Sequence, residues 1–269
     1  MTAEKVYYLG ADLGSSYTKL VVIDDQGNPV HSEVMPTLTR RRNRLDESLR
    51  SLHERFTIAA ACATGYGRSS LDWDLKKTEL VCAATGAAGP HPFEKTIIDI
   101  GGEDIKIIES GGRGEIRNFY MNDKCSAGTG AFISEIAAKV ELEISEMSAL
   151  ARASSTNRAL NSFCTVFAKT EMLGWKFEDV PLEDMARGIY MSIVTRLSKL
   201  PIRADLPVLL CGGVIAYHPY LAELLTGQLG LEVRIADEPQ FVAALGAALQ
   251  ASRHGQAQSA ELKTEPLLT

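Results

Sequence analysis

Apolar positions fall into short blocks whose period alternates between that of a strand and that of a helix, and the order of blocks recurs. Val6 to Leu13 (VYYLGADL) is an apolar run of β-formers. It breaks at Gly14-Ser15-Ser16 and resumes at Tyr17 to Ile23 (YTKLVVI), predicting two strands around a tight glycine turn. Asp24 to Pro29 is a second turn cluster, and Val30 to Met35 predicts a third strand. Arg40 to Leu52 is charged but carries Leu45, Leu49 and Leu52 at helical spacing, which predicts an amphipathic helix over the sheet. Ile58 to Ala63 is the next strand, running into Thr64-Gly65-Tyr66-Gly67-Arg68. Leu80 to Ala88 reads as helix, and Pro90-His91-Pro92 as a break.

The pattern then starts again. Thr96 to Ile100 is a strand, Gly101-Gly102 the glycine turn, Asp104 to Glu109 the returning strand and Glu115 to Met121 a third strand. Asp99 takes the place of Asp12, so the chain repeats structurally though scarcely in sequence. Ala131 to Val140 has apolar residues at helical positions, followed by helical stretches at Ile144 to Ala151 and Val166 to Leu173. Pro181 to Leu197 predicts a core-facing helix with no chemical signal. Leu206 to Cys211 is a strand into Gly212-Gly213, His218 to Leu225 a helix and Leu231 to Ile235 a strand. Phe241 to Gln250 predicts a closely packing small-residue helix, and the tail from Ser252 is expected to fray. The domains expected are 1–90 with the return of about 241–251, then 91–240, with 252–269 a flexible tail.

Composition changes this picture little. A chain of 269 residues that is 45% apolar and 23% charged is ordinary for a globular protein and large enough for one big or two smaller domains. A net charge of −6 speaks against a nucleic-acid surface. No apolar run approaches the roughly 20 residues of a membrane helix. The start lacks a signal-peptide pattern, and five widely spaced cysteines do not make a secreted disulfide framework. A cytoplasmic protein is expected.

Three glycine turns follow apolar strands: Asp12-Leu13-Gly14-Ser15-Ser16, Asp99-Ile100-Gly101-Gly102 and Cys211-Gly212-Gly213. Glycine lets backbone N–H groups approach a phosphate, and an aspartate at a strand end can hold Mg²⁺ through water. None is a Walker loop or a dinucleotide fingerprint. One such turn alone is weak evidence, since hairpins use glycine constantly; repetition in two matching units favours nucleotide binding. Lys19 is a candidate phosphate contact, although a lysine in a strand more often marks a solvated face.

Two cysteines stand just ahead of predicted helices, Cys125 in Asn122-Asp123-Lys124-Cys125-Ser126-Ala127-Gly128-Thr129-Gly130 and Cys164 in Asn161-Ser162-Phe163-Cys164-Thr165-Val166-Phe167-Ala168. A thiolate there faces unpaired N–H groups and the positive end of the helix dipole, a setting that also favours an anionic cofactor. Two sulfurs are half of what an iron–sulfur cluster needs, and a two-fold dimer would supply the rest. The five histidines show no i, i+4 pairing, which speaks against zinc.

The doubled unit with paired aspartate loops resembles the α/β actin, Hsp70 and sugar-kinase ATPase fold, two related ribonuclease-H-like domains with nucleotide in the cleft. Within it, residues 6–250 closely resemble the activators of 2-hydroxyacyl-CoA dehydratases and the ATPase subunits of benzoyl-CoA reductases. The motifs carrying this are Asp12-Leu13-Gly14-Ser15, Ala63 to Arg68, Asp99 to Asp104, Asn122 to Gly130, Cys164 to Ala168, Gly212-Gly213-Val214 and Gly246-Ala247-Ala248. The resemblance implies an ATPase of anaerobic metabolism that passes one low-potential electron, received from ferredoxin or flavodoxin, to a partner dehydratase or benzoyl-CoA reductase. Cys125 and Cys164 would each ligate one [4Fe-4S] cluster shared across a dimer, formed with a second copy or a paralogous subunit. ATP and Mg²⁺ would sit with Asp12 and Asp99 at the metal, and with Gly14, Ser15, Ser16, Lys19, Gly101, Gly102, Gly128, Gly130, Gly212 and Gly213 at the nucleotide. Glu103 stands where the family usually has glutamine, near the γ-phosphate, and Cys82-Ala83-Ala84 where it often has Cys-His-Ala.

Other readings remain at this stage. Each glycine turn and each cysteine has a structural explanation. Cys62 and Cys211 are expected to pack as small apolar residues, Cys82 has no assigned role, and Arg68 is as open to a structural part as to a ligand contact. A sugar or acyl kinase of the same fold, without a cluster, is the alternative function. An actin-like assembly or chaperone module is a second alternative, and a two-cysteine redox switch a third, for which no nearby thiol pair is visible in the sequence.

Overall fold

The computed structural model describes residues 5–38, 44–122 and 125–264. The chain divides into two compact units. The first takes Met1–Pro92, Arg113–Glu115 and Phe241–Thr269, and the second Phe93–Gly112 and Ile116–Gln240.

The first unit is built on a five-stranded sheet ordered β3-β2-β1-β4-β5, with β1 Tyr7–Leu13, β2 Tyr17–Ile23, β3 Pro29–Pro36, β4 Ile58–Thr64 and β5 Leu75–Lys76. β1 is antiparallel to β2 and parallel to β4. Its apolar residues run on without alternation because both faces are covered. On one face α1 (Arg44–Arg55) packs Leu52, with Leu45 and Leu49, over Leu9, Ala11, Leu20 and Val22. On the other, α2 (Glu79–Ala88) and α9 (Val242–Thr264) bury Tyr8, Val21, Ile23 and Cys62. Edge strand β3 is mostly exposed or half-buried. Residues 40–43 of the expected first helix lie outside the described residues.

The second unit repeats the plan. Its sheet is ordered β10-β9-β6-β7-β8, with β6 Lys95–Ile100, β7 Ile105–Ser110, β8 Ile116–Asn122, β9 Val208–Cys211 and β10 Val233–Ile235. β6 is antiparallel to β7 and parallel to β9, as β1 is to β2 and β4. The helices are α3 (Gly130–Lys139), α4 (Met147–Ala153), α5 (Thr165–Phe177), α6 (Leu182–Leu197), α7 (Gly213–Tyr217) and α8 (Tyr220–Leu229). One core joins them, from Phe132 and Ile136 through Trp175, Ile189 and Tyr190 to Leu221. Among the described residues no helix is long and apolar enough to cross a membrane.

Two expectations need correction. The tail does not fray at Ser252: α9 continues to Thr264. Its polar residues hid this, because small ones face inward; Ser252 is buried, and Gly255 is so close to the sheet that an added Cβ would lie 2.9 Å from the Tyr8 ring. Residues 265–269 lie outside the described residues. The short elements β5 and α7 were not anticipated, since neither is long enough to show a period.

Candidate functional site

The two aspartate loops are built alike. In the first unit Asp12 ends β1 and lies opposite Lys19 across the hairpin; Lys19 Nζ is 3.0 Å from Asp12 Oδ2. In the second, Asp99 near the end of β6 lies opposite Lys106, whose Nζ is 4.0 Å from Asp99 Oδ2 and 2.6 Å from Asp104 Oδ2. Both aspartates are buried, at 7% and 9% exposure. A carboxylate held in a strand end is stable only with such partners. Lys106 was missed in the sequence. The repeat contained the signal, because each lysine follows its aspartate by seven residues.

The match extends to the parallel neighbour. Asp12 registers with Thr64, and Asp99 with Cys211. The next residue is glycine in both, Gly65 at φ +89 and Gly212 at φ +95. A Cβ there would strike backbone of the neighbouring loop, Leu13 at 2.6 Å or Ile100 O at 2.4 Å. Glycine therefore permits both the left-handed turn and the close approach of the loop. Arg68 is turned back, donating from Nη1 to Gly65 O at 3.0 Å. Gly14 is half-buried and Ser15 exposed beside Asp12, and Glu103 is exposed in the second loop.

The second unit brings most of the expected residues together. Gly101 N donates to Asp104 O at 2.9 Å, closing the tight turn that carries Gly102 and Glu103. The carbonyls of Gly101 and Gly102 accept from Gly130 N and Ala131 N at 3.0 and 2.8 Å. The start of α3 is thus stitched to the Asp99 loop. Gly212 N donates to Pro239 O at 2.8 Å, beside a cavity of about 310 Å³ lined by Ile215, Ala216, Pro219, Ile235, Glu238, Pro239 and Gln240. A larger cavity of about 560 Å³ lies in the first unit between Leu49, His53 and Trp73 and contains none of the expected site residues.

Cys125 and Cys164 are both exposed and free. Cys164 is the N-cap of α5, at the positive end of a 13-residue helix. Cys125 differs from expectation, since Thr129 is the N-cap of α3, four residues later. The first amides of α3 face the Asp99 loop and the cysteine sits on the loop before it. The two loops are joined, with Ser126 Oγ and Thr165 Oγ1 3.3 Å apart. Each hydroxyl belongs to the residue after a cysteine. Asn122 Nδ2 donates to Cys125 O at 3.0 Å, and Ser162 Oγ accepts from Cys164 N at 3.1 Å. Glu171 of α5 accepts from the backbone of Asn161, fixing the start of the second loop. Asp123 and Lys124 lie outside the described residues.

The other three cysteines are buried. Cys62 of β4 and Cys82 of α2 share one core, and the influence of the Cys62 thiol, followed by burial, pushes the Cys82 thiol up. Burial, with Asp99 nearby, pushes Cys211 well above the usual thiol range. Cys82 and Cys211 are therefore held as thiols and make poor metal ligands.

The chain as a whole is similar to known proteins. The chain is 35% identical over 265 residues to the 2-hydroxyisocaproyl-CoA dehydratase activator of Clostridioides difficile, covering 96% of this chain and 99% of that one. The solved structure of that activator with bound ADPNP superposes with a TM-score of 0.87, covering 97% of this chain and 99% of that chain. It is also 35% identical over 254 residues to the (R)-2-hydroxyglutaryl-CoA dehydratase activating ATPase of Acidaminococcus fermentans, covering 91% of this chain and 97% of that one. A ROK family glucokinase from Streptomyces griseus, 12% identical with a TM-score of 0.55 over 92% of this chain and 99% of that chain, shares the fold. The architecture is thus that of the actin and sugar-kinase ATPases. Residues 9–251 match the BadF/BadG/BcrA/BcrD ATPase family, and the chain belongs to it.

Proposed function

We propose that the protein is an ATP-dependent activator that passes one low-potential electron to a partner acting on a CoA thioester, of the 2-hydroxyacyl-CoA dehydratase or benzoyl-CoA reductase type. The observation that carries this is the joined pair of exposed cysteines beside the Asp99 loop. A kinase of the same fold would have no use for two accessible thiols there, and would bury or bridge them.

In each unit the strand-end aspartate, Asp12 or Asp99, is held by its strand lysine and is of a kind that would hold Mg²⁺ through water. The glycines let the loop backbones come close to the phosphates; because Gly101, Gly130 and Gly212 already donate within the fold, other amides of these loops would make the contacts. The cavity beside Gly212, with Glu238 and Gln240 at hand, would take the base. Glu103, exposed in the second loop, would bear on the attacking water. Gly101 and Gly102 then carry any movement of the Asp99 loop to α3 and so to Ser126 and Thr165.

A [4Fe-4S] cluster fits the thiol chemistry of the loops. Iron–sulfur clusters take four thiolates, and no group of three or more His, Cys, Asp and Glu side chains that could hold a metal occurs among the described residues. Two chains, each giving Cys125 and Cys164, make the set. When bound, the cluster stores and releases the electron, which a ferredoxin or flavodoxin supplies. The test is iron and acid-labile sulfide on protein purified without oxygen. About four irons per dimer are expected, lost in Cys125→Ser or Cys164→Ser while an ATP analogue still binds. A four-iron cluster that survives either substitution, or its absence from reconstituted wild-type protein, overturns the assignment.

A further inference from the structure

We propose that Arg196 is a positioning residue for that cluster: its guanidinium braces the Cys125 and Cys164 loops together and holds a fixed positive charge against them. The inference rests on the cluster reading above, and its grounds lie on α6, a helix whose sequence carries no chemical signal.

One side chain reaches both loops. Arg196 packs on Gly128, three residues beyond Cys125, so closely that a Cβ built there would lie 3.2 Å from Arg196 Cδ and 3.8 Å from Nε. Its Cζ is 5.7 Å from the centre of the Phe163 ring, which immediately precedes Cys164. Gly128 has φ +82, and the glycine makes room for the arginine as well as for the turn. Arg196 Nε is buried and has no hydrogen-bond acceptor among the described residues. A buried guanidinium N–H without an acceptor is costly, which favours an anion at the site as its partner. Lys199 also stands over the Phe163 ring, at 5.0 Å, but it is exposed and its charge is screened.

A thiolate-bound cluster gains one negative charge on reduction. A fixed cation stabilises the reduced form more than the oxidised one and so raises the midpoint potential. A homodimer carries two copies of Arg196, and the effect is doubled.

The experiment compares wild-type protein with Arg196→Gln, Arg196→Lys and Lys199→Gln, all prepared without oxygen. Iron, sulfide and ATP-analogue binding are measured first, then the midpoint potential by EPR-monitored titration. Arg196→Gln is expected to bind the analogue and to show a more negative potential, by about tenfold in the one-electron equilibrium, or 59 mV. Arg196→Lys should restore most of the shift, and Lys199→Gln should move it less. Should Arg196→Gln fail to load iron, loading of Arg196→Lys at the wild-type potential upholds the proposal. Failure of both to load, with analogue binding intact, marks a packing residue and overturns it. So does an unshifted Arg196→Gln cluster, which leaves the cluster reading standing; a wild-type protein without iron removes both.

Discussion

Lys106 is 4% exposed at its side chain and serves Asp99 and Asp104 together, whereas Arg113 and Glu115 pair on the surface at 92% and 50% exposure. Removing one member of a buried pair leaves an uncompensated charge, so Lys106→Met should cost about 3–5 kcal/mol in a denaturant titration. Truncating Arg113 should change stability by less than about 1 kcal/mol. His218 makes a second case at this scale. Its Nδ1 lies 2.7 Å from Tyr190 OH in the core, and burial pushes its pKa down to about 4 from 6.5. Below pH 6.5 the unfolded chain takes up a proton that the folded chain refuses until about pH 4. The stabilisation is complete above 6.5 and lost as pH falls toward 4, roughly 2 kcal/mol by pH 5. Urea unfolding at pH 7.5 and 5 should show this loss, and His218→Asn should remove it; an unchanged difference would sink the reading. The strand-end positions of Asp12 and Asp99 and the place of Cys164 at the start of α5 were legible because these are local patterns. Lys106 and the Cys62–Cys82 contact were not, since a lysine in an apolar strand or a lone buried cysteine shows no partner in one dimension.

Among the elements, α9 closes the first unit through glycine contacts. A Cβ on Gly246 would lie 1.8 Å from Cys82 O in α2, and one on Gly10 would lie 2.0 Å from Ala244 O. Both neighbours are backbone and cannot rotate aside. Gly246→Ala should therefore force the helices apart and cost about 1–3 kcal/mol, read as a fall in Tm of several degrees. A variant as stable as wild type would mean that α2 and α9 slide freely. The strands were readable because central β1 and β6 are continuous apolar runs and their glycine turns interrupt them. The end of α9 was not, because its inward face is made of Ser252 and Gly255, which carry no hydrophobic signal.

For the whole molecule, the repeat is the governing fact. β3-β2-β1-β4-β5 and β8-β7-β6-β9-β10 follow one strand order, and the Asp–Lys pair and the glycine after the fourth strand recur at matching registers. The sequence by itself determined the longer elements, their order and the doubling, and it marked the two aspartates and the two cysteines as candidates, because period, turn residues and motif are short-range properties of the chain. Only the tertiary structure decided which groups meet: Ser126 with Thr165, Gly101 and Gly102 with the start of α3, Cys62 with Cys82, and Arg196 with both cysteine loops. Those contacts join residues tens of positions apart or lie across separate elements, and they exist only once the core between them has packed, so no local pattern could announce them.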